Sequence, residues 1–107
     1  MEKVKIIYIP EVEIYLEDLV DILFYEEYFG FEDAAHNYAE KIVHFIEESI
    51  ETFPPKKTPK ELKNFGSNYI FYKSNQRTTW YIFFEQAKNN YLVTNIINSK
   101  SEEVKFL

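Results

Sequence analysis

The stretch Asn75-Gln76-Arg77-Thr78-Thr79-Trp80-Tyr81-Ile82-Phe83-Phe84-Glu85 constrains this chain more than any other. Asn, Gln and Arg resist burial, whereas Thr, Trp, Tyr, Ile and Phe suit a pleated, half-buried surface, so a polar turn leads into a strand. Alternation puts Thr79, Tyr81 and Phe83 on one face, and Thr78, Trp80, Ile82 and Phe84 on the other. Large side chains on both faces predict a central strand, covered by helices on one side and partly covered on the other.

The rest of the chain supplies the cover. With 107 residues, 46% hydrophobic and 19% aromatic, it can build one core across residues 1–107 without covalent staples. Its composition lies outside that of disordered chains. The absence of cysteine excludes disulfides and thiolate metal sites and leaves the redox compartment open. Met1-Glu2-Lys3-Val4-Lys5-Ile6-Ile7 lacks the apolar core and cleavage site of a secretory leader. No apolar run approaches the roughly 18 residues of a membrane span. The expectation is a cytoplasmic protein with no membrane partner.

In order, Lys3–Ile9 reads as a strand stopped by Pro10, which also suits the first turn of a helix with Glu11 and Glu13 at its positive end. Val12, Leu16, Leu19 and Leu23, broadened by Tyr15 and Ile22, predict a helix from Glu11 to Phe29, closed by Gly30. A second helix starts at Glu32 or Asp33. It buries Ala35, Ala39, Ile42, Phe45, Ile46, Ile50 and Phe53, and stops at Pro54-Pro55. The short link predicts an antiparallel helical hairpin, with Ala35 and Ala39 allowing close approach.

After a loop containing Pro54, Pro55 and Pro59 come three strands, Asn68–Lys73, Thr78–Glu85 and Tyr91–Asn98. They are joined by short polar hairpins. Residues 102–107 read as a short helical or extended tail. The order β-α-α-β-β-β predicts an α+β fold, a helical hairpin packed on a small, largely antiparallel sheet.

Charge is uneven. The net value is −6, from 18 acidic and 12 basic residues, a balance that works against non-specific nucleic-acid binding. Acidic residues crowd the part before Pro54. Lys56, Lys57, Lys60, Lys63, Lys73 and Arg77 face only Glu61 between positions 56 and 77. A local basic patch therefore survives an acidic total. The same lysines would also serve as a solvated margin that blunts a sheet edge.

His36, Glu40 and His44 share a helix face. They lack the adjacent general base of H-E-x-x-H, so a solvated face is expected and no metal or cofactor is implied. Trp80 and the tyrosines at 69, 72, 81 and 91 suit base stacking, or, more simply at alternating strand positions, cross-strand core packing. The acidic face of Glu13, Glu17, Asp21, Glu47, Glu48 and Glu51 reads as solvated surface.

These elements in this order resemble the RelE/ParE toxin superfamily of bacterial type II toxin–antitoxin modules. The likeness is carried by Pro59-Lys60-Glu61-Leu62-Lys63-Asn64-Phe65-Gly66, Tyr69-Ile70-Phe71-Tyr72, Thr79-Trp80-Tyr81-Ile82-Phe83-Phe84 and Tyr91-Leu92-Val93-Thr94-Asn95-Ile96-Ile97-Asn98, and it covers nearly the whole chain. It implies a toxin that inhibits growth by binding a target such as DNA gyrase, partnered by an antitoxin encoded nearby. Lys56, Lys57, Lys60 and Lys73 would face the target. One alternative it implies is a ribosome-dependent mRNA endonuclease with a divergent site, in which Lys63, Arg77 and Lys100 hold phosphate. The C-terminal aromatic there is Phe106, which carries no transferable proton. The other is a family member acting only as a protein-interaction module.

Overall fold

The computed structural model describes residues 4–25, 32–74, 76 and 78–107. The order is β1 (Lys5–Tyr8), α1 (Pro10–Tyr25), α2 (Glu32–Ser49), β2 (Lys56–Lys57), η1 (a 3₁₀ segment, Lys60–Phe65), β3 (Asn68–Lys73), β4 (Thr79–Ala87), β5 (Asn90–Asn98) and η2 (a 3₁₀ segment, Glu102–Phe106). The strands form one five-stranded sheet in the order β1-β5-β4-β3-β2. β1 runs parallel to β5, and every other pairing is antiparallel. The fold is α+β, with a mixed sheet.

β4 lies at the centre, as its two apolar faces require. Trp80, Ile82 and Phe84 pack with Ile70, Tyr91, Val93 and Ile96 beneath the helices, which contribute Val12, Leu19, Ala35, Ala39, Ile42 and Ile46. Phe83 joins Leu62 and Tyr69 on the opposite face, where Phe65, Phe71, Tyr81, Ile97 and Leu107 pack around them. The second face is thus covered by η1 and, from the chain's last residue, by Leu107.

α1 begins at Pro10, whose missing N–H costs nothing at a helix start. The amides of Val12 and Glu13 both donate to the Ile9 carbonyl, at 3.0 Å each. The stop signal at Gly30 and the link to α2 fall outside the described residues, as do the side chains of Ile22 and Leu23. α2 ends at Ser49, short of the Pro54-Pro55 stop expected from sequence. The Ser49 carbonyl takes the amides of Thr52 (3.1 Å) and Phe53 (2.7 Å), closing the helix in a turn. Phe53 is released to pack edge-on against Phe45 (5.8 Å) and Phe71 (5.1 Å). The turn at Ser49 thus ends the helix before the prolines, and Phe53 packs on the sheet instead of extending the α2 face.

β3 spans Asn68–Lys73 as expected, and three boundaries move, β5 starting one residue early at Asn90. β4 starts at Thr79, because the Thr78 carbonyl accepts from the backbone and hydroxyl of Ser74. It then runs two residues past Glu85, to Ala87. Between Phe83↔Asn95 and Phe84↔Val93 the register slips, leaving Thr94 as a bulge residue on β5. Tyr91 and Val93 therefore share the helix-covered face with Ile96 rather than with Asn95.

Candidate functional site

The sheet face away from the helices carries an aromatic floor. Tyr81 lies 6.1 Å from Tyr69 and 6.5 Å from Phe71, centroid to centroid. Tyr69 also meets Phe83 at 5.5 Å, and Phe65 of η1 stands edge-on to Phe83 at 5.4 Å. Alternation along β3 and β4 builds this floor from sequence, since Tyr69↔Phe83 and Phe71↔Tyr81 are opposite pairs. Burial raises the Tyr69 phenol above its ordinary value, with the neighbouring Tyr81 adding to the rise. At neutral pH it is a proton-bearing donor.

Gly66 lets η1 sit tightly on this face. Its φ is +155°, and a Cβ there would stand 2.5 Å from Thr94 Oγ1 and 3.0 Å from Phe84 N. The Thr94 hydroxyl donates to the Phe65 carbonyl, so the bulge residue and the glycine lock η1 to β5.

Register divides the candidate lysines. Lys73 ends β3 opposite Thr79. The Thr79 amide donates to Ser99 Oγ (3.2 Å), and the Ser99 amide returns to the Thr79 carbonyl (2.9 Å). Lys100 therefore arrives at the same end of the sheet as Lys73, with Ser99 and Lys73 on either side of β4, about 10 Å apart by strand spacing. Lys56 and Lys57 pair with Tyr69 and Asn68 at the far end of β3, about 14–17 Å along the strand from Lys73. Lys60 and Lys63 are exposed on η1. Lys56 Nζ lies 5.5 Å from the Phe71 ring centre, linking the edge cations to the aromatic floor. Arg77 lies outside the described residues. Phe83 and Tyr69 are buried beneath η1, so only the half-buried Phe71 and Tyr81 leave ring surface beside the ammonium groups, which attract phosphate or carboxylate oxygens.

The other aromatics proposed for stacking sit under the helices. Trp80 is 1% exposed and donates through Nε1 to the Tyr38 hydroxyl at 2.8 Å. Tyr72 stacks on Phe45 at 4.8 Å, and Tyr91 is buried against Phe84. His36 and His44 pair separately with Glu40 (3.8 Å) and Glu48 (3.1 Å) on the exposed side of α2. Among the described residues no group of three or more His, Cys, Asp or Glu is placed to hold a metal, and no helix is long and apolar enough to cross a membrane.

A second concavity lies on the outer side of the helices, where sequence suggested only solvated charge. Val20 and Val43 stand among acids there, off the main core stripes. Together with Leu16 they floor a trough of about 460 Å³ between α1 and α2. The available signal was one valine beside each buried stripe residue, Val20 after Leu19 and Val43 after Ile42, with Glu17, Asp21, Glu40 and Glu47 at helical spacing around them. The chain matches no family model, no curated protein and no solved structure.

Proposed function

We propose that this chain is the toxin component of a bacterial type II toxin–antitoxin pair, built on a RelE/ParE-like arrangement and working in the cytoplasm. It inhibits growth by binding a macromolecular target such as DNA gyrase. The observation that carries this reading is the sheet with a helix pair on one face and a lysine-margined aromatic floor on the other. The β-α-α-β-β-β order, to which β2 adds a two-residue edge, supports it. The target lies against the lysine-margined face, and the partner is a small protein encoded nearby. Its unstructured tail folds over the helix pair and the sheet edge.

One observation favours a second reading. Ser99 ties Lys100 to the sheet end from which the β3–β4 connection, containing Arg77 in sequence, departs. With Lys63 on η1, these residues are the phosphate-holding set of a ribosome-dependent mRNA endonuclease.

Tightly induced expression in a bacterial host, with pulse labelling of DNA and protein synthesis, tests both. A fall in DNA synthesis with filamentation is the expected result. A prompt fall in translation that Ala at Lys63 plus Arg77 abolishes, with the fold intact, transfers the assignment to the ribonuclease. Soluble, folded protein without any growth effect sinks the toxin reading.

A further inference from the structure

We infer that the outer trough between α1 and α2 is a docking groove for a basic amphipathic helix. Its apolar floor is Leu16, Val20, Ala39 and Val43. It continues past Leu16 and Val43 into a second hollow of about 540 Å³, reached by Ile7 of β1. Ile7 is 42% exposed, and β1 ends the strand order, so this apolar strip runs to the rim of the sheet.

The margins say what would cover it. Glu17, Asp21, Glu40 and Glu47 line the first hollow and Glu13 the second, and neither is lined by any Lys or Arg among the described residues. His36 and His44 also face it, each paired with a glutamate of its own helix. An apolar floor between carboxylates accepts a helix with aliphatic residues at i, i+4 and i+7 and Lys or Arg on both flanks. An acidic helix would bring like charges together at close range, which disfavours it. Anionic lipid and nucleic acid are disfavoured for the same reason.

The chain's own cations lie mainly elsewhere, on β2, η1 and the far sheet end. The acidic total is thus resolved into a basic target-facing side and an acidic partner-facing side. The inference rests on the reading above only for the partner's identity, that of the protein encoded nearby.

The test uses the full chain and two synthetic helical peptides of about five turns, with identical leucines and either Lys or Glu between them. Binding is measured by calorimetry, and the contact surface by backbone amide NMR shifts. The Lys peptide should bind about tenfold or more tightly than its Glu twin. Its affinity should fall as salt rises from about 20 mM to about 200 mM. Shifts should cluster on residues 13–21 and 36–47, and the exposed double change Glu17→Lys with Glu47→Lys should reverse the peptide preference.

Equal binding of both peptides, or shifts confined to Tyr81 and Phe71, would overturn the inference. So would sedimentation as a dimer that the double change dissociates, which would make the occupant a second copy. Growth is not the readout, so failure here leaves the toxin assignment standing, and failure there leaves the groove.

Discussion

Gly66 and Tyr8 show how single atoms set limits here. At Gly66 the backbone occupies φ +155°, and the space a Cβ needs is taken by Thr94 Oγ1, Phe83 Cβ and Phe84 N. Gly66→Ala therefore combines backbone strain with overpacking and should cost about 2–4 kcal/mol. Urea denaturation should show a lower midpoint at unchanged slope, and a midpoint equal to the parent's would refute the tight approach of η1. Tyr8 presents the reverse case, because its buried hydroxyl has no hydrogen-bond partner. Burial, then the charge of Glu47, pushes its pKa up to about 12 from 10.0. The folded protein holds this proton more tightly than the unfolded chain, so the contribution is complete below pH 10 and is lost as pH rises towards 12. Tyr8→Phe should be neutral or stabilising at pH 7, since it removes an unsatisfied polar atom. It should also flatten the decline of stability above pH 10. A loss of more than about 1 kcal/mol at pH 7 would mean that the hydroxyl has a partner after all.

Between elements, the bond that fixes α2 to the sheet runs from Trp80 Nε1 to Tyr38 Oη and on to Ser74 Oγ. Ser74 Oγ in turn donates to the Thr78 carbonyl at the β3–β4 hairpin, at 3.1 Å. Tyr38→Phe keeps the ring that stands 6.2 Å from Trp80 and strands the indole N–H, a loss of about 1–3 kcal/mol. In a double-mutant cycle with Trp80→Phe the two changes should be strongly non-additive. Simple additivity would show that the bond contributes nothing. This network also marks where sequence reading stops. The strand 79–85, the helix stripes and β3 were legible, because hydrophobic period reports directly on which face is buried. The end of α2 was not, because Phe53 fits the helical period in sequence yet lies past a turn that closes on Ser49 and packs against Phe71, eighteen positions away. The bulge at Thr94 was equally hidden, since it depends on a register that only the assembled β4–β5 pair defines. For the same reason the lysines, close in sequence, suggest one patch, whereas β3 carries Lys73 away from Lys56 and Lys57.

For the whole molecule, the −6 net charge is a sum over unlike surfaces, and its stability consequence belongs to the acidic one. Glu13, Glu17, Asp21, Glu40 and Glu47 crowd the outer side of the helix pair, and among the described residues no Lys or Arg lines these hollows beside them. Mutual repulsion between such carboxylates destabilises the compact state and is relieved by screening. The Debye length falls from about 30 Å at 0.01 M to about 8 Å at 0.15 M salt. Over that range Tm should rise by about 2–4 °C, given the size of this domain. Glu17→Gln with Glu47→Gln should raise Tm at low salt and reduce its salt dependence, because both changes dilute the same cluster. Lys73→Ala with Lys100→Ala, at the far end of the sheet, should leave the salt dependence as it was. A fall in Tm with added salt would instead mean that attractive pairs, such as His44 with Glu48, outweigh the repulsion. The acidic side would then be a stabilising charge network rather than a surface strained until its partner arrives.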